Sequence, residues 1–231
     1  MQIKFLVPGL ALAAAVAVTP AALAAKPPKP VKPPNPAGTA ITIGAKSSML
    51  VFSGVTNLSG RLSGNGASGV AIRLEADDSR PYGDSYKAAG NTATTSNNGS
   101  YSIAVKPLIN TQYRVVAQAS PPVMSAAKLV SVRMLVGLRL SDTTPARGSL
   151  VRFSGSVFPA HDGRSVSIQR RLSTGGFVTV ARTALRDAGD AKSAYSRRVR
   201  VSRSSVYRVK VTADADHANG FSRMRSIAVH G

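Results

Sequence analysis

Cysteine and tryptophan are both missing from this 231-residue chain, glutamate occurs once and histidine three times. Without cysteine there is no disulfide frame, so stability has to come from burial. The whole aromatic set is six tyrosines and six phenylalanines. Such a chain is poor in the exposed rings on which nucleobases stack, and the same shortage argues against a carbohydrate platform. The lone glutamate, Glu75, is followed by Asp77 and Asp78 in a turn-forming stretch. Inward alternation of Val70, Ile72 and Leu74 sends Glu75 to solvent, so the facing carboxylates of a glycosidase are not expected. His161 and His217 fall in turns and His230 is the penultimate residue. No Gly-x-Ser-x-Gly accompanies them, and no histidine-activated nucleophile is expected. The reading is of a protein that is not an enzyme and needs no cofactor.

What is present begins with residues 1–24, which read as an export signal. Lys4 supplies the positive start, residues 5–18 are apolar, and Ala22-Leu23-Ala24 has the small-x-small form of a cleavage site. The apolar run is short against a bilayer span of about 20 residues, and Pro8 and Pro20 interrupt it. Cleavage leaving Ala25 first, with no transmembrane segment in the mature chain, is the expectation. With no cysteine to take a lipid and no sorting signal ahead of His230-Gly231, the expected location is extracellular or cell-envelope associated, without covalent attachment. Residues 25–40 form a Pro/Lys-rich linker: six prolines and three lysines in residues 26–36 favour an extended polyproline II rod.

From residue 41 onward the sequence repeats itself. Tyr101 and Tyr113 stand twelve residues apart, and so do Tyr195 and Tyr207. Leu58-Ser59-Gly60 answers to Phe153-Ser154-Gly155, Val70-Ala71-Ile72 to Val166-Ser167-Ile168, and Val130-Ser131-Val132 to Ile227-Ala228-Val229. Two copies of a unit of roughly 95 residues follow. The matched segments alternate with period two, which makes them strands. In the first unit, 41–134, strands are expected at 41–43, 55–62, 70–75, 85–87, 99–105, 113–119 and 128–134. In the second, 135–231, they are expected at 136–140, 150–157, 165–172, 177–182, 194–201, 207–213 and 222–229. Seven short strands per unit, separated by turn clusters such as Ser63-Gly64-Asn65-Gly66, point to an all-β protein of two tandem antiparallel sandwiches. The join near residues 132–136 leaves almost no linker, so the units should sit end to end with limited freedom.

The segment Tyr207-Arg208-Val209-Lys210-Val211-Thr212-Ala213, followed by Asn219-Gly220-Phe221-Ser222, resembles the F strand and F–G turn of fibronectin type III and related immunoglobulin-like domains. Pro107, Thr111, Tyr113, Val115 and Ala117 are similar to the same stretch. The run from Thr95 to Tyr101 is similar to bacterial immunoglobulin-like modules of surface proteins. This resemblance implies that Tyr113 and Tyr207 form tyrosine corners, each hydroxyl returning to upstream backbone, while Tyr101 and Tyr195 pack in the core.

Charge is the remaining signal, at a net +20. Residues 41–133 carry nine basic and four acidic side chains, whereas residues 134–231 carry 17 and six. If Val166, Ile168, Tyr207, Val209 and Val211 face inward, then Gln169, Arg171, Arg208 and Lys210 share an outward face, with Arg198 and Arg200 on the opposite sheet. These residues are the candidate polyanion site, suited to a wall polymer, lipid headgroups or nucleic acid. Sequence-specific reading of nucleic acid is not expected. Asp187, Asp190, Asp214, Asp216 and His217 sit on loops where sandwiches hold calcium, but aspartate is also a turn former and no metal ligand is assigned. The functional expectation is a secreted structural or adhesive module at the envelope. A polyanion binder using the second unit, or an accessory domain for an extracellular enzyme on another chain, are the alternatives.

Overall fold

A computed structural model describes residues 38–231, and the expected export signal and most of the Pro/Lys-rich linker lie outside them. The described residues form strands and turns, and none of their elements is a helix long and apolar enough to cross a membrane.

The first lobe is built from β1 (Ala40–Ile41), β2 (Gly44–Ala45), β3 (Met49–Val51), β4 (Thr56–Ser63), β5 (Ala71–Asp77), β6 (Lys87–Thr94), β7 (Ser100–Val105), β8 (Thr111–Ala117), β9 (Val123–Met124) and β10 (Lys128–Val136). One sheet gathers β1, β2 and β7 around β4; the other runs β6-β5-β8 and on to β9 and β10. The second lobe repeats this with β11 (Arg139–Leu140), β12 (Ser149–Phe158), β13 (Ser165–Arg171), β14 (Phe177–Ala184), β15 (Arg186–Asp187), β16 (Ser193–Val201), β17 (Ser205–Val211), β18 (Ala218–Ser222) and β19 (Arg225–Ile227). There β11, β12, β16 and β15 make one layer, and β14, β13 and β17, with β18 and β19, make the other. In the first lobe β4 pairs with β7 in one sheet while β5 pairs with β8 in its partner, and in the second lobe β12 with β16 and β13 with β17 repeat this, which is the immunoglobulin-like arrangement.

Period-two alternation explains each core. In β7 the side chains of Tyr101, Ile103 and Val105 are buried and their neighbours exposed. Inward positions of both sheets close two separate cores, one around Leu58, Ile72 and Val115 and one around Phe153, Ile168 and Val209. Phe153 is fully buried, with its ring 5.4 Å from that of Tyr207.

The boundary between units differs from the sequence expectation of two abutting strands. β10 runs through it unbroken, pairing with β8 over Lys128–Val130, lying parallel to β3 over Ser131–Arg133, and meeting β12 at Leu135 and Val136. It also pairs in parallel with β18. The last strand of one lobe is thus the first of the next. Backbone hydrogen bonding is continuous across the joint, which is why no linker is needed.

The tyrosine corners require a correction. It is Tyr101 and Tyr195, not Tyr113 and Tyr207, whose hydroxyls donate to upstream backbone, at the carbonyls of Thr42 (2.5 Å) and Gly137 (2.6 Å). Burial pushes the pKa of both hydroxyls up. Tyr113 and Tyr207 are buried as rings, each on the sheet facing the one that carries the bond. The geometric reason is that Tyr101 and Tyr195 lie opposite Gly60 and Gly155, where the missing side chain opens a path to the neighbouring strand. We expect Tyr195→Phe to lower stability by about 1 kcal/mol through the unpaired Gly137 carbonyl. Tyr207→Phe should change it by less, with urea midpoints as the measurement.

Two strand assignments also shift. The segment expected at 85–87 is instead β6, because residues 78–85 are folded around Asp77, whose carboxylate accepts N–H groups from Ser79, Gly83 and Ser85. The segment expected at 222–229 divides into β18 and β19, where the Ser222 hydroxyl accepts the Val209 N–H and interrupts the ladder.

Candidate functional site

The structure sorts the basic residues of the second lobe by what they touch. Gln169 and Arg208 are directly opposed on β13 and β17, and Arg208 Nε donates to Gln169 Oε1 at 2.8 Å. The guanidinium carbon lies 3.7 Å from the centroid of the Phe177 ring and 4.6 Å from that of Phe221. Arg208 is therefore clasped between two rings, and burial holds its pKa below the usual arginine value. Its first-lobe counterpart is Arg114, 3.9 Å from the Tyr86 centroid and directly opposed to Glu75.

That counterpart corrects the placement of Glu75. Its side chain is 11% exposed rather than solvated, with Arg73 Nη2 and Arg114 Nε each 2.7 Å from one of its oxygens. Glu75 does leave the core face, as alternation requires, but two flanking arginines cover it. The residues of the expected basic face are thus unequal: Arg171 is exposed, Lys210 half-buried, and Arg208 is committed to packing.

The opposite sheet carries a different pattern. On β12, Val151 and Phe153 point inward, so Leu150, Arg152 and Ser154 point outward. On β16, Val199 and Val201 are buried while Arg198 and Arg200 are exposed. Register places Arg152 directly opposite Arg198, Leu150 opposite Arg200, Arg139 opposite Ser154, and Arg186 opposite Ala194. Five arginines consequently share one outer face. Among the described residues none of them has a carboxylate within 4.0 Å. Arg200 Nη1 donates to the Gly148 carbonyl at 2.8 Å, which fixes one member. A shallow surface cleft bordered by Ser141, Leu150, Arg152 and Arg198 runs along the row.

Arg198 and Arg200 were legible in the sequence, whereas Arg139, Arg152 and Arg186 were not singled out. Alternation around Val151 and Phe153 marks Arg152 as outward. That it faces Arg198 is set by the β12–β16 register alone.

The loop aspartates do not converge as an oxygen cage. Asp187 turns back on the Gly189 N–H, and Asp216 is exposed. Among the described residues, one group brings metal-ligating atoms together: His161, Asp214 and His217 at the seam between lobes. Burial holds the His217 pKa below the ordinary histidine value.

No family model matches this sequence, and no curated protein matches it. Among solved structures, a marsupial T cell receptor is similar with a TM-score of 0.35 and 10% identity, covering 83% of this chain and 73% of that one.

Proposed function

We propose that this is a secreted, non-enzymatic protein of the cell envelope that holds anionic polymer against the outer face of β12 and β16. The observation that carries the reading is the Arg152–Arg198 pair. Like charges directly opposed across a sheet repel, and here the pair stands in an arginine row with no carboxylate within 4.0 Å among the described residues. An anionic chain laid along the row relieves that repulsion and releases its own counterions. The row lacks exposed aromatic rings for stacking, so recognition is of charge and spacing rather than of bases.

The test is binding of long-chain polyphosphate and of random-sequence duplex DNA at several salt concentrations. Reversing Arg152, Arg198 and Arg200 to glutamate should lower affinity by more than tenfold and flatten the DNA salt slope by roughly three. Reversing the exposed first-lobe lysines Lys46, Lys87 and Lys106 should have a much smaller effect. Equal losses from both triple variants, or binding indifferent to salt, would leave the arginines as solubility residues.

The unbroken β10 favours a second reading, a stiff structural or adhesive spacer. A protein that binds neither polyanion yet keeps a fixed interlobe distance in small-angle scattering would support that reading instead.

A further inference from the structure

Three elements meet where the lobes join. His161 lies on the loop between β12 and β13, Asp214 and His217 lie on the loop between β17 and β18, and the first-lobe loop before β8 brings the carbonyl of Leu108. Their side chains are well enclosed: His161 is 11% exposed, Asp214 10% and His217 4%. Each imidazole has one nitrogen on a backbone carbonyl. His217 Nε2 is 2.9 Å from Leu108 O, and His161 Nδ1 is 2.9 Å from Pro159 O. A carbonyl can only accept, so those two nitrogens carry the protons. In the neutral tautomer this leaves the lone pairs of His217 Nδ1 and His161 Nε2 open to a cation.

Both lone pairs face the same carboxylate. His161 Nε2 is 2.9 Å from Asp214 Oδ2, and His217 Nδ1 is 3.7 Å from Asp214 Oδ1. His217 Nδ1 is buried and has no hydrogen-bond partner. All three donor atoms lie within 4.8 Å of one another. A buried imidazole nitrogen without a partner, beside a carboxylate and a second imidazole, is an arrangement that costs free energy until something fills it, and a cation can serve all three groups. The backbone carbonyls behind the rings supply the outer contacts that orient metal-bound histidines. Asp214 is oriented too, since its Oδ1 accepts the N–H groups of Asp216 (2.9 Å) and His217 (2.6 Å). Arg164 Nη2 lies 3.7 Å from Asp214 Oδ2, and its Nη1 is held by the Ala213 carbonyl.

We propose that His161, Asp214 and His217 bind a divalent zinc-class ion that fastens the β17–β18 loop at the interlobe seam. Two imidazole nitrogens and one carboxylate oxygen suit zinc rather than calcium or magnesium, which take oxygen sets. Bonds of about 2.0–2.1 Å in tetrahedral geometry separate ligand atoms by about 3.3 Å; His161 Nε2 stands 2.9 Å from Asp214 Oδ2 and His217 Nδ1 3.7 Å from the other oxygen, Oδ1, so the carboxylate would turn to offer one oxygen to both rings. Three protein ligands leave a fourth position for water. The clamped loop also receives the interlobe bonds from Asn110, whose N–H and Nδ2 reach the carbonyls of Asp216 (2.7 Å) and Ala215 (3.3 Å). Loading the ion therefore stiffens the joint between lobes.

The experiment is calorimetric titration of chelator-treated protein with Zn2+, with Ca2+ in parallel, and thermal unfolding with and without each ion. One equivalent of Zn2+ per chain, a raised melting temperature, and no effect of Ca2+ are expected. His161→Ala and Asp214→Asn should each weaken zinc at least tenfold; the asparagine retains a carbonyl oxygen for the two loop N–H groups. His230→Ala, remote from the seam, should change nothing. Co2+ provides a readout on the wild-type protein that does not depend on any variant folding: visible d–d bands of a tetrahedral nitrogen–oxygen site should appear. No zinc binding, affinity unchanged in folded His161→Ala and Asp214→Asn, or a Co2+ spectrum of the aqueous ion would each overturn the site.

Discussion

Gly155→Ala is expected to destabilise the second lobe by about 3 kcal/mol, the cost of forcing extra volume into a packed core. A Cβ at Gly155 would fall on the carbonyl oxygen of Gly137 and 2.9 Å from the Tyr195 hydroxyl. That carbonyl belongs to backbone that the tyrosine itself holds in place. Neither neighbour is the free end of a flexible side chain, so the strand must move or the hydrogen bond must break. Adding Tyr195→Phe should not rescue the variant, because the carbonyl remains in the way. Gly60→Ala should behave in the same manner in the first lobe, where the Cβ would meet the Thr42 carbonyl and lie 2.7 Å from the Tyr101 hydroxyl. Denaturant midpoints followed by circular dichroism measure both. A loss below about 1 kcal/mol in the two variants would mean that the strands yield and the lock is not rigid.

Asp77→Ala should cost the first lobe about 2 kcal/mol or more, because three backbone donors lose a buried anionic acceptor. The carboxylate is 1% exposed as a residue and sits 2.6 Å from Gly83 N, 3.1 Å from Ser79 N and 3.4 Å from Ser85 N. Burial alone would raise its pKa, but the hydrogen bonds from Gly83, Ser79 and Ser85 outweigh it and hold the group below the ordinary carboxylate value. A carboxyl depressed on folding contributes stability that is complete above its unfolded pKa of about 3.9 and is lost as pH falls through the lower folded value. The wild-type protein should therefore lose part of its stability advantage over Asp77→Ala in that acid window, while the two keep a constant difference at neutral pH. Urea unfolding at pH 7 and at successive points below pH 4 tests this. A difference independent of pH throughout would remove Asp77 as the anionic centre of the loop.

The sequence by itself determined the two-lobe, all-β plan. Repeated tyrosines, matched triplets such as Leu58-Ser59-Gly60 and Phe153-Ser154-Gly155, and period-two alternation are local properties, and a strand's inward set follows from them whatever it pairs with. Alternation also marked Arg198 and Arg200 as outward. Tertiary structure decided everything that depends on register or on a second element. Tyr101 and Tyr195, rather than Tyr113 and Tyr207, bind upstream backbone because the glycine opposite each lies on a strand at least 40 residues away in the chain. Arg208 is clasped by Phe177 and Phe221, which alternation could not reveal, since it tells which face a residue takes and not what covers that face. Glu75 likewise takes the outward face that alternation gives it, yet Arg73 and Arg114 cover it. Arg152 meets Arg198, and His161 meets Asp214 and His217, only after distant strands and loops are brought together. Side-chain direction is written in the period of the chain, whereas side-chain company is set by long-range pairing.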